Sequence, residues 1–284
     1  MSIRQFEGHL TTTYGRSRNF YSMDVKLMGV VNVTPDSFSD GGLYLDPQAA
    51  IEHGRELAAQ GAPILDVGGE STRPGAAPVA VDEELRRVEP VVAGLAGLGV
   101  EISVDTSKAP VAEAALDAGA TIVNDVTALR GDPEMARLVA DRGAGVVLMH
   151  MAGEPRTMQA NPEYGDVVAE VKDFLAARLA AALAAGIDES RIWLDPGIGF
   201  GKTSEHNFEL LRGLDQLAAL GRPIVVGTSR KSFIGRTDGS ETDDRLGGTI
   251  ATSILAAAAG ASVLRVHDVR EMAEALKLAS AVLG

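Results

Sequence analysis

Cysteine is absent from this chain of 284 residues, which excludes disulfides and thiolate metal sites. Aromatic residues make up only 4% of it, so the interior has to be built from the Val, Ile, Leu and Ala that dominate its 45% hydrophobic content. Such a composition suits parallel strands buried on both faces. Cations are outnumbered, with 26 Lys and Arg against 39 Asp and Glu and a formal net charge of −13. A diffusely acidic surface repels phosphate backbones, so no nucleic-acid partner is expected. A small anionic substrate is still allowed wherever Lys and Arg gather in a cleft. No apolar run reaches the ~18–20 residues of a membrane span, and the start of the chain has no basic-then-apolar leader pattern. A soluble, cytoplasmic protein with no membrane association is expected.

Short β-branched runs alternate with longer Ala/Leu/Glu-rich stretches. Strands are predicted at 26–33, 63–68, 100–105, 121–125, 145–150, 191–195, 223–227 and 262–267. Helices are predicted at 49–60, 82–95, 108–118, 132–142, 162–185, 205–220, 242–259 and 269–282. Gly61, Gly119, Gly186 and Gly221 fall where a left-handed residue closes a helix. Asp132-Pro133 reads as an N-cap followed by proline at the first helical position. Repeated βα units imply parallel strands joined by right-handed crossovers. Eight units favour closure into a (β/α)8 TIM barrel over a doubly wound open sheet. No long linker or shift in composition divides the chain. One barrel domain is therefore expected over residues 26–284, with residues 1–25 as a short hairpin or cap across its bottom.

In a barrel of this kind the site lies at the carboxyl ends of the strands and in the loops that follow them. The strand interiors are apolar, yet their ends carry Asn32, Asp66, Asp105, Asn124 with Asp125, His150, Asp195, Ser229 with Lys231 just beyond, and Arg265 with His267. Arg265 and His267 are two apart and share a face. Two loops on this rim mix Gly and Ser with contact-forming groups: one around Asp36 and Phe38, one around Thr72, Arg73 and Pro74. A third segment, Asp195-Pro196-Gly197-Ile198-Gly199-Phe200-Gly201-Lys202, allows close backbone approach but lacks the spacing of a phosphate-binding P-loop. A fourth, Gly227-Thr228-Ser229-Arg230-Lys231-Ser232, sets two cations beside hydroxyls, as an anion or carbonyl site would. Taken singly, these residues have plainer readings. Asp105 and Asp195 could be helix caps, Asn124 a turn residue and Lys231 a solvated loop lysine. Arg230 would pair with a nearby carboxylate, the stem of Lys202 would cover the rim, and His9, His53 and His206 would lie on the surface.

Together the segments resemble the dihydropteroate synthase family of pterin-binding barrels. The resemblance rests on Asn32-Val33-Thr34-Pro35-Asp36-Ser37-Phe38-Ser39-Asp40-Gly41-Gly42, on Asp66-Val67-Gly68-Gly69-Glu70-Ser71-Thr72-Arg73-Pro74-Gly75, and on the third and fourth segments with Arg265-Val266-His267-Asp268. It runs from about residue 26 to the C-terminus. It implies a Mg2+-using transferase of folate biosynthesis that joins 6-hydroxymethyl-7,8-dihydropterin pyrophosphate to 4-aminobenzoate in an SN1-like reaction. It further implies that Asp105, Asn124, Asp195 and Lys231 hold the pterin. Asn32, Arg265 and His267 would bind the pyrophosphate, with Asn32 also on Mg2+. Phe38, Thr72, Arg73, Pro74, Phe200 and Ser232 would enclose the aminobenzoate. Asp36, Arg73 and Lys231 would act in catalysis. A homodimer and inhibition by sulfonamides come with the same resemblance, and a long apolar face over 249–259 is a candidate dimer surface. The segment Val126-Thr127-Ala128-Leu129-Arg130 departs from the family, where a Ser/Gly-rich turn is common.

Three other readings compete with this one. A methyltransferase acting on methyltetrahydrofolate would share the pterin residues but would not need the Thr72 loop or the Arg265/His267 pair. A paralogue that binds pterin without catalysis should have damaged rim segments. A Schiff-base aldolase would rest on Lys231 alone.

Overall fold

The computed structural model describes residues 25–34, 46–72, 75–153 and 157–283. Residues 1–24 of the expected cap lie outside it, as do Asp36, Phe38, Arg73 and Pro74. Eight parallel strands alternate with helices: β1 (Lys26–Asn32), β2 (Ile64–Gly68), β3 (Glu101–Asp105), β4 (Ile122–Asp125), β5 (Gly145–Met149), β6 (Ile192–Asp195), β7 (Val225–Val226) and β8 (Val263–Val266). Each pairs with its sequence neighbour, and β1 also pairs with β8, so the order runs β6-β5-β4-β3-β2-β1-β8-β7. The cylinder closes between β6 and β7 through one bridge, Leu194 to Ile224.

The alternation of side chains along each strand sorts the interior into two cores. One parity (Leu27, Val31, Leu65, Val67, Ile102, Val104, Val123, Leu148, Leu194, Leu264) packs outward against the helices. The other parity meets on the barrel axis as Met28, Ile64, Ile122, Val147, Val225 and Val263. Two residues further along, the same inward parity brings Asp66, Asn124 and Arg265 above that apolar plug. The site is thus the next layer of the barrel interior.

The helices are α1 (Pro47–Ala59), α2 (Val81–Leu95), α3 (Ala109–Asp117), α4 (Met135–Arg142), α5 (Val167–Ala184), α6 (Ser204–Arg212), α7 (Leu214–Ala218), α8 (Ser232–Asp238), α9 (Leu246–Ala258) and α10 (Val269–Leu283). Gly61, Gly119, Gly186 and Gly221 all adopt positive φ, as their places after helices required.

Four helix expectations are corrected. The helix expected from residue 132 begins at Met135; Asp132 holds the turn before it, its Oδ1 accepting from Glu134 N at 3.0 Å, while its Oδ2 accepts from Ala109 N at 2.9 Å at the start of α3 next door. The helix expected from residue 162 starts at Val167, because Asp166 accepts from Val168 N and Ala169 N. The helix expected over 205–220 breaks at Gly213 into α6 and α7. A Cβ at Gly213 would lie 2.9 Å from Val168 Cγ1, so the bare glycine lets the break pack on α5. The helix expected from residue 242 begins at Leu246, and α8 precedes it as an additional helix.

Candidate active site

Arg265, projecting inward from β8, is the hub. Its Nε donates to Asp66 Oδ2 at 2.6 Å and one Nη to Asp105 Oδ2 at 2.9 Å. Asn124 Nδ2 donates to the same Asp66 oxygen at 3.0 Å. Asp66 is fully buried and its Oδ1 has no hydrogen-bond partner among the described residues. Two carboxylates therefore share one guanidinium, Asp66 on the fully buried side of it and Asp105 toward the mouth. Burial pushes the Asp105 carboxyl up to about 7, against the pull of Arg265 and with the push of Asp66. Burial disfavours the Arg265 charge, but Asp66 and Asp105 outweigh it and hold the guanidinium above its ordinary range.

Asp195 ends β6 and accepts from Gly197 N at 2.6 Å. Burial raises its carboxyl, opposed chiefly by Lys231. Lys231 caps the start of α8 and donates to the Ile198 carbonyl, and its Nζ lies 4.7 Å from the centre of the Phe200 ring. Burial lowers this ammonium to about 8, with Asp195 working to raise it. Gly197 makes this turn possible. Its φ is +67°, and a Cβ there would fall 1.8 Å from the His150 carbonyl oxygen. Gly227 joins the two halves of the site, since a Cβ on it would be 3.7 Å from both Arg265 Cβ and Lys231 Nζ.

His267 continues the face of Arg265. Its Nδ1 is 2.9 Å from Ser229 Oγ, and its N–H donates to that oxygen at 3.2 Å. Asn32 is half-buried at the end of β1. A Cβ on Gly68 would lie 3.8 Å from both Asn32 Oδ1 and Asp105 Oδ2, so these side chains flank the same bare patch of strand. Thr72 and Ser71 line a cavity of about 200 Å³ together with Glu70, Asp105, Thr106 and Met151. Ser232 is exposed at the first turn of α8, where its Oγ accepts from Arg236 at 2.9 Å. No described contact ties it to Asp105, Asp195 or Arg265.

The structure therefore brings together Asn32, Asp105, Asn124, Asp195, Phe200, Lys231, Arg265 and His267 around one barrel mouth. Asp125, of opposite parity to Asn124, turns away and accepts from Thr127 N and Leu129 N at 2.8 Å each. That carboxylate holds the departing segment, in which Ala128 and Leu129 are left-handed without being glycine. Lys202 is not a rim-covering lysine. It is 1% exposed and donates to the Phe200 carbonyl at 3.0 Å, with His150 Nδ1 at 2.9 Å. Burial lowers it to about 7, and burial with the Lys202 charge lowers His150 to about 3. Arg230 does pair with a carboxylate, Asp268. His206 is half-buried in a capping box with Thr203 and meets Tyr164 edge-on at 4.9 Å; His53 is half-buried too, and His9 lies outside the described residues.

Sequence reasoning left Asp66 without a role and passed over Glu84 and Lys108. Glu84 carried a signal: it occupies the apolar stripe of α2 with Val88, Val91, Val92 and Leu95, a position that only a paired carboxylate tolerates.

Residues 28–267 match the family of pterin binding enzymes. The chain is 51% identical over 267 residues to the dihydropteroate synthase of Mycobacterium leprae, covering 91% of this chain and 94% of that one. It superposes with a TM-score of 0.86 on the Xanthomonas albilineans dihydropteroate synthase solved with 4-aminobenzoic acid, at 50% identity over 91% of this chain and 93% of that one. The same enzyme in complex with 7,8-dihydropteroate gives a TM-score of 0.83 at 47% identity, covering 94% and 96%. The chain belongs to the dihydropteroate synthase family of pterin-binding enzymes.

Proposed function

We propose that this chain condenses 6-hydroxymethyl-7,8-dihydropterin pyrophosphate with 4-aminobenzoate, giving 7,8-dihydropteroate and pyrophosphate. One observation carries the reading: two buried carboxyls and a buried carboxamide, Asp105, Asp195 and Asn124, face one mouth with a half-buried lysine and arginine, Lys231 and Arg265, between them. A pterin presents adjacent ring N–H and amino donors on one edge, which carboxylates accept in pairs, and Lys231 donates to its carbonyl side. Arg265 spends Nε and one Nη on Asp66 and Asp105. Its other Nη makes no hydrogen bond among the described residues and points the remaining charge at the diphosphate, with His267 and Asn32 beside it.

The bond from the pterin methylene carbon to the diphosphate oxygen breaks first, and the electron pair leaves with pyrophosphate. The resulting cation is delocalised into the electron-rich pterin ring, and Asp36 and the pocket carboxylates stabilise it. The neutral amine of aminobenzoate attacks that carbon and then loses a proton. Thr72, Arg73, Pro74, Phe38 and Phe200 enclose the aminobenzoate, and Ser232 meets its carboxylate. No enzyme nucleophile takes part. Among the described residues no group of three or more His, Asp or Glu could hold a metal. The chain's own donor would be the hard carboxamide oxygen of Asn32, a ligand type that suits Mg2+. Bound there, Mg2+ would supply charge neutralisation to the diphosphate leaving group.

The chain works as a homodimer in the cytoplasm. α9 and α10 pack side by side and expose Leu255 at 65%, Leu278 at 68% and Val282 at 76%, an apolar face that a second copy would cover. No helix among the described residues is long and apolar enough to cross a membrane.

The test is Mg2+-dependent release of pyrophosphate from the two substrates, with a sulfonamide competing against aminobenzoate. Tight pterin binding without turnover would reject the reading.

A further inference from the structure

Beside the barrel mouth lies an ionic cluster that the reaction above does not use. Lys108, at the cap of α3, donates its ammonium to both Glu70 and Glu84. Glu84 is fully buried in α2 and also accepts from Thr106 Oγ1 at 2.7 Å. Thr106 Oγ1 in turn accepts from Lys108 N at 3.3 Å. Glu70 reaches the far side of its own loop, accepting from Val79 N at 3.2 Å. One residue earlier, Arg87 of α2 donates to the Gly69 carbonyl at 2.9 Å. Burying a carboxylate is costly unless a cation and hydrogen bonds compensate it, and here every oxygen of Glu70 and Glu84 has a donor. That arrangement closes the base of the Glu70–Val79 loop and ties it to the residues that directly follow Asp105.

We infer that Lys108 is a positioning residue for aminobenzoate. With Glu70 and Glu84 it clasps the two stems of the loop that carries Thr72, and so fixes Ser71 and Thr72 in the wall of the pocket. This rests on the reading of the function given above. Lys108 touches no substrate; it acts through Glu70. Three features separate the cluster from ordinary surface pairing. Glu84 is fully buried, Lys108 and Glu70 are each about four-fifths covered, and the contacts join elements that are distant in sequence. A surface ion pair has none of these features and contributes little order. The clasp borders the same cavity as Thr72 and Asp105, so a loosened loop base changes the aminobenzoate end of the site while the pterin carboxyls stay in place.

The experiment compares wild type with Lys108→Met and Glu70→Gln. Glu70→Gln keeps an acceptor for Val79 N but loses the charge that Lys108 grips, and it serves if Lys108→Met fails to fold. Amide exchange on the substrate-free proteins should show faster exchange in peptides spanning residues 69–80, with strands β1, β4 and β5 unchanged. Steady-state kinetics should show KM for aminobenzoate raised at least ~10-fold, while calorimetry with the pterin pyrophosphate gives a Kd within ~2-fold of wild type. Unchanged exchange across 69–80 overturns the inference whatever the kinetics. Equal loss for both substrates overturns it too, since that is what a merely structural role predicts. If wild type itself shows no turnover, the functional reading fails, and the exchange comparison still decides whether Lys108 holds the loop.

Discussion

Arg265 is compensated by two carboxylates, of which Asp66 is fully buried. Replacing it with Met strands both negative groups, a loss that costs about 3–5 kcal/mol in buried pairs. The expected cost for Arg265→Met depends on pH. Asp105 titrates near 7 in the fold and near the ordinary carboxylate value when unfolded, so the folded state takes up its proton more readily. Ionising it in the fold is therefore the unfavourable step. Stability from this group is full at low pH and is lost as pH rises through about 7. Without Arg265 the penalty deepens at pH 8 and is relieved near pH 5. Denaturant melts of the variant and wild type at the two pH values check this.

Lys202 has the opposite sign. Its pKa falls to about 7 in the fold, while the unfolded chain holds that proton to the ordinary lysine range. Between those limits the unfolded state binds more protons, so stability rises with pH. Lys202→Met removes the slope. The Tm difference between variant and wild type should shift in favour of wild type from pH 7 to pH 9.5, measured by calorimetry. The sequence showed Lys202 only as a lysine after a glycine turn. What decides its role is His150 and Tyr164, brought to it from other elements, and spacing along one segment does not report that.

Elements were read more fully. The β-branched runs found all eight strands, because strands buried on both faces leave continuous apolar stretches. They were overextended at β7, expected over 223–227: Val225 and Val226 alone form the ladder with β8, while Ile224 is held by its bridge to Leu194. Helix starts were placed too early where a capping side chain sits further along the chain, as with Asp166 before Val167. The glycine turn after β6 was legible as a close approach but not its target, the carbonyl of His150. Gly197→Ala should displace that turn, and with it Asp195 and the Lys231 contact to Ile198. The expected result is a folded barrel with pterin affinity lowered at least ~10-fold, about 1.4 kcal/mol, read by calorimetry. Retained affinity would mean that the turn does not set Asp195.

For the whole molecule, their places at strand carboxyl ends put Asp105, Asn124, Asp195 and Arg265 on one rim in the sequence, and the inward parity of the strands gathers them in the fold. Their connections were not readable. Nothing in the spacing tells that Arg265 would be shared by Asp66 and Asp105, which lie 199 and 160 residues away along the chain. The outer face of α9 and α10 carries a prediction at this scale. Leu255→Glu combined with Leu278→Glu should convert a dimer to a monomer in light scattering, with the barrel's circular dichroism unchanged. Persistence of the dimer would place the contact elsewhere.

The seam between β6 and β7 is stitched by a single bridge, while the other strands share ladders of two to five paired residues. The wall is thus uneven: stout on the side of Asp66 and Asp105, thin on the side where Asp195 faces Lys231. Mild denaturant should part the thin side first, blunting the grip on one heterocycle edge while the arginine knot opposite still holds.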